Sequence, residues 1–140
     1  MPNRWLLKTE PGEYSFEDLL REGRTQWDGV TNPLALRHLG AIRSGDELLI
    51  YHSGTARAAV GVARAASRPY PDPARGDPKL VVVDVTPVRP LPRPVPLASI
   101  KADPRFRGFD LVRLPRVSVM PVPAPLWQAI LGMARTKEPR

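Results

Sequence analysis

The chain has 140 residues, 42% of them apolar, carries a net charge of +7 and contains no cysteine. That length suits one domain around one core, and the missing thiol excludes disulfides, thiol catalysis and cysteine-bound zinc. With His38 and His52 as the only soft ligands and no calcium-loop spacing of acids, neither a metal nor a cofactor is expected.

Arg4 to Lys8 alternates around Trp5 and Leu7 as a first strand, ended by Pro11 and Gly12. Ser15 and Asp18 form a capping box, so Phe16 to Glu22 reads as a short helix stopped by Gly23. Asn32 before Pro33 is a second cap, with a helix over Pro33 to Leu39 and Gly40 as its stop. Asp46 to Ser53 is a strand, Gly54 and Thr55 a turn, and Ala58 to Ala66 the returning strand, in which Gly61 suits a bulge or a close backbone approach. The sequence Tyr70-Pro71-Asp72-Pro73 is a stiff loop, and the β-branched run Lys79 to Val88 is the clearest strand. Residues 89–97 are proline-rich and read as a rigid connector between strand and helix, although an SH3 ligand has the same composition. A short helix over Leu97 to Ala102, a last strand over Arg113 to Val122 and a closing helix over Leu126 to Met133 follow. Trp127, Ile130 and Leu131 face inward on that last helix, and a flexible tail occupies 135–140. Five or six strands with short peripheral helices, in an order unlike a parallel βαβ sheet, predict an α+β fold built on a mixed β-barrel.

Several polar groups cluster where elements end. Strand alternation carries Lys8 and Glu10 to one side, beside Thr9, and such a pair can hydrogen-bond a base edge, perform acid–base chemistry or form a surface ion pair. Trp27 beside a Gly turn is either a stacking platform or core, and Asn32 is either a cap or a base-edge reader. Tyr51, His52 and Ser53 close a strand where a barrel opens, while His52 also alternates with the apolar Leu48 and Ile50 as a core histidine would. In the predicted last strand Arg116, Ser118 and Met120 share a face. With Lys101, Arg105, Arg107 and Arg113 upstream, the stretch reads as a phosphate track or as a solvated basic face. No phosphate loop, nucleophile elbow, zinc-hydrolase helix or deaminase signature is present.

Charge is unevenly placed: residues 1–47 carry a net −2 and residues 48–140 a net +9. A basic half attracts polyanions, nucleic acid foremost. Seventeen arginines against four lysines, with abundant Ala and Pro, also fit a GC-rich coding sequence, so charge alone does not decide. No stretch resembles a membrane span or secretion signal, and the expectation is a cytoplasmic monomer that makes no contact with membranes.

Taken in order, WLLKTEPGEYSFEDL, QWDGVTNPLALRHL, GDELLIYHSG, YPDP, LVVVDVTPVRPLPRPVPLASIKADP and LVRLPRVSVMPV resemble the EVE domain family of the PUA-like superfamily. The resemblance implies one domain over 1–134, a cleft around the end of the first strand, and a DNA or RNA partner whose flipped or unpaired modified base is held there. Lys8, Thr9 and Glu10 stand in the family's Lys-Ser-Glu-Pro motif, and Trp27 and Asn32 in its Trp-Asp-Gly-Val-x-Asn motif. Tyr51, His52 and Ser53 match Tyr-His-Ser, while Arg113, Arg116 and Ser118 match its Arg-rich last strand. Thr9 replaces the commoner Ser, and Pro33-Leu34-Ala35-Leu36-Arg37 follows Asn32 where many members carry an aromatic and further polar groups. The implied role is a binding module with no catalytic residue. The alternatives are an enzyme using Lys8, Glu10 and His52, or a protein-interaction domain using the proline-rich segment.

Overall fold

Strand β1 (Arg4–Thr9) runs inside the sheet of the computed structural model, which describes residues 3–135. It pairs in parallel with β3 (Glu47–His52) on one side and antiparallel with β7 (Val119–Pro121) on the other. β4 (Ala58–Ala65), β6 (Val81–Pro96) and β2 (Thr25–Trp27) continue the sheet beyond β3 in antiparallel pairings. β5 (Tyr70–Pro71) adds to β6 off this path, giving order β2-β6-β4-β3-β1-β7. The expected mixed barrel of five or six strands is thus a seven-stranded, partly closed sheet with short helices around it.

Alternation along β1 and β3 divides the apolar side chains between two cores. Trp5, Leu7, Leu48 and Ile50 pack with residues of helices α1 (Phe16–Glu22) and α2 (Pro33–Ala41), among them Phe16, Leu19, Ala35 and Leu39. Leu6, Leu49 and Tyr51 pack on the other face with Ile100 of α3 (Leu97–Ala102), Leu111 of α4 (Asp110–Arg113), and Trp127 and Ile130 of α5 (Ala124–Arg135). Burying each large aliphatic chain contributes roughly 1.5–3 kcal/mol before its entropic cost.

Local rules hold well at the first two helices. Ser15 and Asp18 complete both halves of the capping box, and Gly23 ends α1 at φ 78°. Asn32 caps α2 by accepting from the Ala35 N–H at 3.0 Å. Gly40 does not stop that helix, which runs one residue further to Ala41 before Ile42 turns extended. In β4 the register shifts between Ala59 and Gly61, and a Cβ on Gly61 would press into the Phe16 ring.

Three expectations are corrected. Residues 89–96 are not a connector: β6 continues through them, with Pro87, Pro90 and Pro96 opposite Ala63, Gly61 and Ala58 of β4. Beyond Val85 no pairing to β2 or β5 remains, so β6 has one partner there and prolines leave no ladder bond unmade on the open side. The stiff loop at Tyr70-Pro71 contributes β5. The last strand is only Val119–Pro121, because Arg113 closes α4 and Pro115, without an N–H, falls in the connecting loop. The tail expected over 135–140 lies outside the described residues apart from Arg135, the last residue of α5.

Candidate functional site

Where β1 ends, the chain turns at Pro11 and Gly12 and leaves a cleft of about 540 Å³ between that end and β2. Lys8, Thr9, Glu10, Trp27 and Ser118 all line it, so the structure gathers five of the residues singled out from the sequence. Glu13, Tyr14, Thr25, Gln26, Asp28 and the Gly29–Val30 turn complete the wall.

Three side chains at the end of β1 are each held by a specific contact. Lys8 Nζ donates to the Pro115 carbonyl at 3.0 Å and lies 6.0 Å from the centre of the Tyr51 ring. Burial of the ammonium pushes the Lys8 pKa below its ordinary value. Thr9 Oγ1 donates to the Tyr14 carbonyl at 2.7 Å, which ties the strand end to the start of α1. Glu10 Oε1 accepts the Gly12 N–H at 3.0 Å, and Gly54, at φ 75°, lets the hairpin after β3 close over the same carboxylate. A Cβ at Gly54 would collide with Glu10 Oε2.

Trp27 is a floor more than a free platform. It is 7% exposed, belongs to the first core, and meets the Tyr14 ring edge-on at 6.3 Å and 89°. Tyr14 Oη in turn donates to Glu22 Oε1 at 2.7 Å. Burial is the main cause that raises the Tyr14 pKa above that of a free phenol.

Other expected residues lie elsewhere. Tyr51 is 3% exposed within the second core and does not line the cleft, although Lys8, which does, lies 6.0 Å from its ring centre. Its phenol is pushed up in pKa by burial. Asn32 spends its side-chain oxygen on the α2 cap. His52 Nε2 accepts the Phe16 N–H at 3.0 Å, with its pKa lowered by burial against the opposing charges of Glu17 and Glu10. Ser53 donates its backbone N–H to the Thr9 carbonyl at 2.9 Å, which extends the β1–β3 pairing to the mouth of the cleft. Arg113 pairs with Asp110 at 3.0 Å and Arg105 with Asp103 at 2.6 Å, so the expected phosphate track is partly neutralised. Arg116 is exposed on the loop beside Pro115, with no ion pair among the described residues.

Sequence reasoning missed Tyr14, Gln26 and the carboxylates of Glu13 and Asp28 as cleft residues. Thr25–Trp27 is too short a strand to show a period, and only its bracketing by Gly23 and Gly29 marks it. Tyr14 immediately precedes the capping box, a position whose side chain commonly folds back onto the helix start, and that signal was available. The cleft carries three acids against one lysine in a chain that is basic overall. It therefore offers hydrogen-bond acceptors more than donors. Among the described residues no cluster of potential metal ligands occurs, and no helix is long and apolar enough to cross a membrane.

A partly closed mixed barrel with a polar cleft at the end of its first strand defines a PUA-like protein. An ASCH structure from Zymomonas mobilis, 10% identical with a TM-score of 0.60 over 93% of this chain and 94% of that one, shares the fold alone. The chain belongs to the EVE domain family, whose model matches residues 3–133. It is similar to Rpa0253 from Rhodopseudomonas palustris, with 37% identity and a TM-score of 0.89, covering 94% of this chain and 92% of that one. It is also similar to human thymocyte nuclear protein 1, solved in complex with DNA containing 5-methylcytosine. Identity there is 26% and the TM-score 0.86, over 96% of this chain and 99% of that one.

Proposed function

We propose that this protein is a nucleic-acid-binding module that holds one modified base in the cleft, with 5-methylcytosine in DNA as the leading ligand. The observation that carries the reading is the cleft itself: Lys8, Glu10, Trp27 and Ser118 converge on one hollow, in a chain whose human relative is solved with 5-methylcytosine-containing DNA. Cytosine presents an amino donor and ring acceptors, and a carboxylate is its natural amino partner. Glu10, steadied by the Gly12 N–H, would take the amino group, while Lys8 and Ser118 supply donors for the ring acceptors. Trp27 closes the floor under the ring. Flanking phosphates would avoid the acidic cleft and use exposed cations such as Arg116.

Binding is favoured over chemistry because the three groups of the enzymatic alternative do not meet as a set. His52 lies outside the cleft lining and its Nε2 lone pair is occupied by the Phe16 N–H, which leaves Lys8 and Glu10 without a third partner.

Tryptophan-fluorescence titration tests the reading, using single- and double-stranded DNA and RNA oligonucleotides with and without one 5-methylcytosine, at several salt concentrations. The expected result is tighter binding of the methylated DNA, by no more than about 200-fold for one methyl, with a salt slope of about −2 to −4. Equal binding of every oligonucleotide, lost at moderate salt, would overturn it.

A further inference from the structure

β1 and β3 run parallel, so both end where the cleft opens, and β4 begins and β6 ends at that same end of the sheet. There the hairpin after β3, the last residue of β6 and the start of α3 enclose a second hollow, of about 250 Å³. Thr55, Arg57, Pro96, Leu97 and Lys101 line it, and among the described residues no carboxylate does. The hairpin joins the hollow to the cleft, because Gly54, next to Thr55, is packed against the Glu10 carboxylate.

We infer that Arg57 and Lys101 seat one backbone phosphate of the strand whose base enters the cleft. Charge is the first ground. The cleft carries three carboxylates against Lys8 and repels phosphate, so the backbone must cross its rim elsewhere. Arg57 and Lys101 are exposed, and neither forms an ion pair or a side-chain hydrogen bond among the described residues. Arg4, Arg24, Arg105 and Arg113, by contrast, each meet an acid. A guanidinium and an ammonium on one hollow, with the Thr55 hydroxyl on its wall, form a donor set suited to a phosphodiester.

Backbone geometry is the second ground. Arg57 holds φ 43°, the one left-handed value outside glycine among the described residues. Such backbone persists only where its surroundings enforce it, and it gathers at functional sites. Here the Arg57 carbonyl accepts the Leu97 N–H at 2.8 Å, which ties the hairpin to α3, and Lys101 lies one helical turn on from Leu97. Position is the third ground. Arg57 is near enough to Tyr51 for its charge to offset part of the rise that burial gives that phenol, and Lys8 lies 6.0 Å from the same ring. Arg116 stands beyond the end of β1 on the β7 side, and the hairpin stands on the β3 side. A strand passing from Arg116 to Arg57 would thus cross the mouth of the cleft, with a phosphate held on either side of the inserted base. The seat rests on the nucleic-acid-binding role proposed above, but not on which base the cleft prefers.

Single-stranded DNA with and without one 5-methylcytosine, titrated over a series of salt concentrations, provides the test. Replacing Arg57→Gln and Lys101→Gln together should weaken binding by about two- to fivefold for each lost charge pair. The salt slope should become shallower by about one, the change for one lost phosphate contact, with the methylated-to-unmethylated ratio unchanged. Lys79→Gln removes an equally exposed cation beyond the opposite end of β6 and should leave the slope as in wild type. Lys101→Gln alone keeps the test open if Arg57→Gln lowers the melting temperature. A neutral methylphosphonate placed at each linkage beside the modified base should weaken wild type at one linkage that no longer matters in the double variant. An unchanged slope in the double variant, an equal change in Lys79→Gln, or no such linkage overturns the inference. A slope that responds while methylated and unmethylated strands bind alike sinks the modified-base reading and leaves the phosphate seat. A methyl preference with an unresponsive slope does the reverse, and a wild type that binds neither strand sinks both.

Discussion

His52 Nε2 accepts the Phe16 backbone N–H at 3.0 Å, joining the end of β3 to the first turn of α1 across thirty-six positions of sequence. That N–H is one of the donors a helix leaves without an internal partner, so the ring does for α1 what a side-chain cap cannot reach. The contact needs a neutral ring with a free lone pair.

Acid should therefore weaken the fold. Burial lowers the His52 pKa from its ordinary 6.5, so the unfolded chain binds a proton before the folded one does. The stability this ring contributes is complete above about pH 6.5 and is lost as pH falls toward the lowered folded value. His38, also lowered by burial, adds in the same direction. Urea unfolding between pH 8 and pH 5 should show a falling midpoint. His52→Gln, which can accept but not titrate, should flatten part of that fall, and His52→Ala should cost about 1–2 kcal/mol at pH 8 by orphaning the Phe16 N–H.

Asp46 is 2% exposed and accepts three N–H donors, from Asn3, Arg43 and the Trp5 indole at 2.9 Å. It fixes where β1 and β3 begin their parallel pairing. Asp46→Ala should cost about 2–4 kcal/mol, because it strands several donors at once. Chemical denaturation would show this, and a loss below about 1 kcal/mol would mean that water replaces the carboxylate.

Lys8 is held half-buried against its own solvation, a cost that the base-holding role proposed above would explain. Lys8→Met should leave the fold as stable as wild type or more so, while weakening binding of a methylated oligonucleotide by about tenfold or more. Titration and thermal melting of the same sample separate the two effects. Weaker binding accompanied by a lower melting temperature would mean that the lysine is structural.

Gly54→Ala should injure the cleft from a distance. At φ 75° any side chain is strained by about 1–2 kcal/mol, and the new methyl would displace the Glu10 carboxylate. Binding should fall by more than the small stability loss explains. A variant that binds as wild type would show that Glu10 does not touch the base.

Much of this was legible in the sequence wherever structure is decided locally. The capping box at Ser15, the Asn32 cap and the alternation of β1 and β3 each depend on residues within a few positions. The proline-rich half of β6 was not legible, because its strand character comes from having β4 on one side and no partner on the other. Likewise the run from Arg113 to Met120 alternates as a strand would, yet Lys8 bonds the Pro115 carbonyl and the backbone meets β1 only from Ser118 to Val122, with Val119–Pro121 as the paired strand. Five cleft residues could be named from motifs at strand ends. Tyr14 and Gln26 come in from other elements, and Tyr51 and Asn32 are spent on core and cap.

The pairing of β1 with β7 sets a condition on synthesis. Leu7 lies opposite Val119 and Trp5 opposite Pro121, so one edge of β1 waits until β7 has left the ribosome. At roughly 5–20 residues per second, that edge stays unpaired for seconds, and the wall that carries Ser118 cannot form until it closes. Lys8 also waits for the Pro115 carbonyl. A nascent chain stalled before β7 emerges would display β1 and β3 but offer no finished cleft, so ligand can engage only a chain that has been synthesised past β7.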